Sequence, residues 1–208
     1  MLPEIKPIPL EIKRGPAEHV RRLQVINAAW KHFGDHGYEK TSVAALAKDI
    51  GVSSTYLYRF FDSKQSIGEA VCSEALAQIA KKLIAVQKGS GSSFQKIRDV
   101  FQTLLTNGYA MFLKDRQMHE LVATAISHNW ECVQNHREVI RSVLQSIIEQ
   151  GRHAQAFERK TPIDEVVKGL FVAITPFANP LLLQQRNLEE LEDAARAMSG
   201  LVLRSLAP

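Results

Sequence analysis

Cysteine is almost absent: the 208 residues hold two, Cys72 and Cys132, far apart in the chain. A disulfide framework is therefore not what organises the fold, and so few thiols fit a reducing, cytoplasmic setting. Long apolar runs are missing as well, with nothing approaching the ~18 consecutive apolar residues of a membrane span. The opening stretch MLPEIKPIPLEIKRG mixes charges with three prolines and has no apolar centre, so it does not read as a secretory leader. There is no Gly-rich phosphate loop, no nucleophile elbow, and no His/Cys or His/Ser arrangement with a local signature. Catalytic residues, a cofactor and a bound metal are accordingly not expected.

What the chain does have is charge in one half and a compact motif inside that half. Residues 1–88 carry 13 Lys/Arg against 9 Asp/Glu, while residues 89–208 carry 13 of each, so the net charge of +4 lies wholly in the N-terminal part. That asymmetry fits a polyanionic partner on that part alone. Within it, Val43, Leu46, Ala47 and Ile50 recur at helical spacing on one face of a short helix, and Gly51 stops it. Val52 is apolar inside the turn, Ser53 is an N-cap, and Leu57 and Phe60 supply the inward stripe of a second helix. Ala47 is small at the point where the two helices must cross. This is the layout of a helix-turn-helix DNA reader. Ser54, Thr55, Tyr56, Tyr58 and Arg59 face away from that stripe, and each can hydrogen-bond to a phosphate or a base edge. Lys64 follows the Ser63 cap, where the helix dipole disfavours a cation unless an anion lies nearby. With Thr41, Ser42, Lys48 and Ser53 these residues form the candidate DNA-facing set.

The run Tyr38-Glu39-Lys40-Thr41-Ser42-Val43, followed by Leu46-Ala47, Gly51-Val52-Ser53, Leu57-Tyr58, Phe60 or Phe61, and Ser63-Lys64, resembles the N-terminal signature of TetR-family transcriptional regulators. The resemblance covers residues 17–72; beyond them only length and helical character agree. It implies that Ser42 caps the first motif helix near a phosphate, that Tyr58 and Lys64 grip the backbone, and that Ser54 to Tyr56 face the bases. Two departures stand out. Thr55-Tyr56 occupies the place where many members have Gly-Thr, and Phe60-Phe61 the place where many have His-Phe, so no operator sequence is inferred.

The rest of the chain reads as helix, giving an all-α expectation. Residues 1–15 form an arm whose Lys13 and Arg14 either reach a minor groove or stay solvated. Residues 16–62 form the helix-turn-helix domain, its first helix opening at Pro16, turning Val20, Leu23, Ile26, Trp30 and Phe33 inward and ending at Gly37. Residues 63–88 form a connecting helix, and 89–208 a helical ligand-binding and dimerisation domain. Helices are expected at about Phe94–Leu113, Arg116–His128 and Val133–Gln155, then one capped by Thr161 with Pro162 at its first position and interrupted by Pro176 and Pro180. Bulky groups at Tyr109, Met111, Phe112, Met118, Trp130, Phe157, Phe171 and Phe177 suit a lipophilic effector, with Tyr109, Met118, Trp130 and Phe171 the preferred lining. His128, Cys132 and His136 recur every fourth residue, which is metal-ligand spacing, but the stretch reads as a helix end. On the last two helices Val167, Leu170, Phe171 and Ile174, with Leu191, Ala195, Met198 and Val202, form narrow seams. They suit either a four-helix homodimer interface, which the resemblance also implies, or an intrachain seam. The combined expectation is a homodimeric repressor that leaves a palindromic operator when a small organic effector binds. The alternative is a DNA-binding dimer whose C-terminal domain holds a protein partner and no ligand.

Overall fold

A computed structural model describes residues 16–110, 116–183 and 187–208. The N-terminal arm with Lys13 and Arg14, and the cavity candidates Met111 and Phe112, lie outside the described residues. Among those described there are ten helices and no strand. They are α1 Pro16–His36, α2 Val43–Ile50, α3 Ser54–Leu57, α4 Lys64–Lys88, α5 Ser93–Gly108, α6 Arg116–Ser127, α7 Glu131–His153, α8 Ile163–Ala178, α9 Pro180–Leu183 and α10 Leu188–Ser205. No described helix is long and apolar enough to cross a membrane.

The first three helices fold as their local signals direct. The Ser42 hydroxyl accepts from the Ala45 N–H at 3.0 Å and starts α2. Gly51 ends it in the left-handed region at φ 75°, a conformation that glycine adopts without strain. On α1 the buried apolar residues are Val25, Ile26, Ala29 and Phe33, and His32 is buried beside them. Val20 departs from the expected inward set: it is 53% exposed. At about 100° per residue it stands on the opposite side of the helix from Ala29.

The helix α4 is the spine. Ser63 and Ser66 form a reciprocal cap at its start, each hydroxyl accepting from the other's N–H at 3.1 Å. Its apolar stripe is shared between two cores. Ile67, Val71 and Cys72 belong to the N-terminal core with Leu46, Leu57 and Phe61, while Ala75, Ile79 and Leu83 belong to the C-terminal core. The N-terminal core also recruits Met118, Leu121, Ala125 and Trp130 from beyond residue 88, so apolar packing crosses the expected domain boundary. The far end of α4 is fixed by polar groups: the buried Lys96 donates to the Gln87 carbonyl at 2.9 Å and to Gln150 Oε1 at 2.7 Å.

The last helices correct two expectations. Pro162 is the residue before α8 and not its first, and Thr161 does not cap it: the Thr161 carbonyl instead accepts from Arg152 at 2.6 Å. Pro176 lies in the final turn of α8, which runs two residues further because an end turn can lose one donor. The seam residues Val167, Leu170, Ile174, Leu191 and Ala195 are buried in the chain's own core, and Phe171, Met198 and Val202 pack partly buried against it. These faces are covered because α8 lies on α5 and α7, and α10 on α5 and α8. Five of the seam residues are thus covered within the chain, Phe171, Met198 and Val202 keep part of their surface, and the outward faces of the two helices carry further apolar residues, Val172 at 65% and Leu201 at 57% exposure.

Candidate nucleic-acid interface and internal cavity

The second motif helix, α3, is short because its cap and stop lie close together. The Ser53 hydroxyl accepts from the Tyr56 N–H at 3.1 Å, and after Leu57 the backbone continues in tight turns, with the Phe61 N–H donating to the Leu57 carbonyl at 3.1 Å. Leu57 is fully buried. Its inward companion is Phe61, 3% exposed, whereas Phe60 is only half-buried; the turn after Leu57 carries the chain round and brings the second aromatic inward. The Arg22 guanidinium lies over the Phe61 ring at 4.8 Å, and burial lowers its pKa from the ordinary arginine value.

The candidate DNA-facing residues divide by exposure. Ser42, Lys48, Ser53, Thr55, Tyr58 and Arg59 are exposed, and Ser54, Tyr56 and Lys64 are half-buried. Ser42 uses its oxygen as a cap acceptor and keeps its O–H free to donate. Thr41 is a correction: it is 4% exposed and its hydroxyl donates to the Gly37 carbonyl at 2.7 Å, so its side chain locks the turn before α2. Tyr56 leans on Phe60 with ring centroids 5.1 Å apart, and its hydroxyl accepts from Arg21 of α1 at 3.3 Å. That tether holds the ring in one direction.

Lys64 serves the fold first. Its ammonium donates to the Tyr38 and Glu39 carbonyls at 3.1 and 3.2 Å and sits 4.5 Å from the Tyr38 ring centroid. The start of α4 is thereby fastened to the turn that presents Ser42. Two of three ammonium donors are used, leaving one for an anion. Burial, with Glu39 next, pushes the Tyr38 hydroxyl up to about 12, so this ring stays neutral. A further tie, between His32 Nδ1 of α1 and the Asp49 carboxylate of α2, gave no signal in the sequence because nothing local marks residues 17 apart as partners. Arg21 was equally illegible, since an arginine on a helix reads as solvated surface.

The second feature is a partly open cavity of about 200 Å³ lined by residues of α4 to α9. Cys72, Leu76 and Ile79 of α4 form one wall, Leu104, Val122 and Ile126 others, and His136, Arg137, Arg141 and Phe171 contribute polar and aromatic groups. Of the preferred lining residues only Phe171 borders it. Met118 and Trp130 are buried in the N-terminal core, Trp130 against Tyr38 at 5.8 Å, and Tyr109 packs on the C-terminal core. Bulk alone gave no clue to which neighbour covers a side chain. The shared face of His128, Cys132 and His136 does not form, because Asn129 at φ 53° breaks the helix between the first and the others. Cys132 instead lies beside Cys72, whose thiol is pushed up by that neighbour and by burial. His136 faces the cavity, and burial lowers its pKa from 6.5 to about 4.

A capped helix-turn-helix with an exposed hydroxyl and cationic face, fastened to a helix that enters a hollow regulatory domain, defines a DNA-binding regulator. Sequence comparison agrees. Residues 25–71 match the model of the bacterial regulatory proteins of the tetR family, and residues 94–199 match that of the tetracyclin repressor-like C-terminal domain. The chain belongs to the TetR family of DNA-binding transcriptional regulators. The nucleoid occlusion factor SlmA of Haemophilus influenzae is 28% identical over 116 residues, 50% of this chain and 53% of that protein. The chain thus spans about half the length of the curated relatives it matches. Among solved structures, a TetR-family regulator from Pectobacterium atrosepticum is similar with a TM-score of 0.74 at 16% identity, over 93% of this chain and 98% of that one. The regulator FadR of Bacillus subtilis in complex with stearoyl-CoA is similar at 0.61 and 18% identity, over 88% and 98%. At such identities the likeness is one of fold.

Proposed function

We propose that the protein is a homodimeric, ligand-responsive repressor that holds a palindromic operator and leaves it when a small organic effector enters the cavity. The observation that carries this reading is the position of α4. Its residues 72, 76 and 79 wall the cavity, and its first residue, Lys64, grips the turn that presents Ser42. A ligand that shifts this wall tilts the helix and with it the motif. In a dimer the two motif helices dock about 34–36 Å apart, so a change of a few ångströms spoils simultaneous docking. The contacts proposed for DNA are Ser42, Lys48, Ser53, Ser54, Thr55, Tyr56, Tyr58, Arg59 and Lys64. For the dimer, the outward faces of α8 and α10 are proposed, where Val172 and Leu201 are exposed beside a shallow groove bordered by Gly169 and Val202. An effector panel tests the reading: a compound that raises the melting temperature of the free protein must also weaken its grip on DNA.

A second reading draws on the relatives, which are nucleoid occlusion factors. In it the DNA-bound dimer uses its C-terminal domain to engage a protein, and no small molecule enters. If no compound in the panel shifts the melting temperature while a protein partner changes the protein's residence on DNA, this second reading replaces the first.

A further inference from the structure

The polar groups of the cavity separate into those already satisfied and those that are not. The Thr175 hydroxyl donates to the Phe171 carbonyl at 2.7 Å, and Asn179 Oδ1 accepts from the Leu181 N–H at 3.1 Å. Arg141 pairs with Glu138 and stacks 4.2 Å from the centre of the Phe171 ring. Two neighbours on α7 differ. His136 Nδ1 is closed off from solvent and has no hydrogen-bond partner among the described residues. Arg137, which also lines the cavity, makes no ion pair or hydrogen bond among them. Buried polar atoms in folded proteins are nearly always paired, and an exception at a cavity wall asks for a group supplied from outside. A guanidinium with no partner, in a hollow where Thr175, Asn179 and Arg141 are already paired, matches a planar anion held by two parallel N–H donors. The adjacent imidazole is kept neutral by its burial, so one tautomer has an Nδ1–H to donate to the same anion.

We propose that the effector is an apolar monocarboxylic acid, its carboxylate held by Arg137 and His136 Nδ1–H and its hydrocarbon part lying against Leu76 and Ile79 of α4. This rests on the ligand-responsive reading and names the chemistry of its site. A cavity of about 200 Å³ falls below the ~300–1,000 Å³ of sites that bury a drug-sized ligand, so the chain of the acid is of medium length. Acid head and apolar tail act on different elements: the head fixes the ligand to α7, and the tail meets the helix that leads to the DNA-binding motif.

The test uses the full chain, with hexanoate, octanoate and decanoate as probes and the alcohols and primary amines of the same lengths as controls. Calorimetric titration is expected to give at least one acid a tenfold tighter binding than its alcohol, with no binding of the amine. Arg137→Gln should reduce the affinity of the acid to that of the alcohol and leave the alcohol's affinity unchanged, a control a misfolded variant cannot pass. Arg141→Gln, which removes a cation already paired, should change the ratio of acid to alcohol less than threefold. Equal binding of acid and alcohol, preference for the amine, or an unchanged acid affinity in Arg137→Gln overturns the carboxylate head while leaving a ligand cavity. Failure of every probe of every head group overturns this assignment, and the wider effector panel then decides the ligand-responsive reading separately.

Discussion

Replacing His136 with Gln should remove a defined part of the acid sensitivity of this protein. In the folded chain burial lowers the imidazole from 6.5 to about 4, because Nδ1 is enclosed and no acid lies against it to stabilise the cation. The unfolded chain takes up the proton more readily, so the contribution is complete above about pH 6.5 and is lost as pH falls towards 4. A shift of about 2.5 units at 1.36 kcal/mol each gives about 3.4 kcal/mol over that whole window. By pH 5 the loss amounts to about 2 kcal/mol, or about 4–8 °C in melting temperature for a chain of this length. Thermal melts at a fixed protein concentration, at pH 7.5, 6 and 5, compare the natural chain with His136→Gln. The difference between pH 7.5 and pH 5 should shrink by about 2 kcal/mol in the variant, whatever the substitution costs at neutral pH. The same pH difference in both proteins would refute the reasoning, since it would mean that His136 charges freely in the fold.

Gly151→Ala should destabilise the C-terminal domain, because an added Cβ would stand 2.1 Å from the buried Phe157 ring; overpacking costs about 1–3 kcal/mol against a helix-propensity gain of about 1. Denaturant melts check it, and a more stable variant would contradict the packing. Lys64→Met should lower stability by about 1–3 kcal/mol through the lost charge-assisted bonds to Tyr38 and Glu39, and should weaken binding to all DNA sequences alike. A variant of unchanged stability with only a reduced salt slope would make Lys64 a phosphate contact and no tie. Paired Val172→Asp and Leu201→Asp should shift the protein from dimer to monomer in sedimentation, whereas burying a charge at Leu170 should unfold it. A dimer that survives both outer substitutions would move the interface elsewhere.

Local chemistry was legible and neighbourhood was not. The caps at Ser42, Ser53 and Ser63 and the stop at Gly51 depend on backbone groups within four residues, and the chain states them directly. The span of α4 follows from one cap and one Gly/Ser break. Phe60 and Phe61 are harder, because which of two adjacent side chains turns inward depends on how tightly α3 closes, and Thr41 is turned inward by its bond to the Gly37 carbonyl of the preceding turn. The seams on α8 and α10 carried a true apolar period, yet period gives the covered face without telling whether the same chain or a second copy covers it. Trp130 and Met118 failed as cavity residues for that reason: the N-terminal core takes them. The stretch of His136 reads as a helix end, and its place on the cavity wall follows from the break at Asn129, whose left-handed backbone the sequence does not announce.

Selection of bound sequences from a random DNA pool, with the stoichiometry of the selected complex measured in the same preparation, tests the central claim most directly. The expected result is a palindrome whose half-site centres lie about one helical turn apart, about 34–36 Å, or a multiple of it, bound by two chains. Enrichment of no sequence at moderate salt, or of a single asymmetric site bound by one chain, would contradict it.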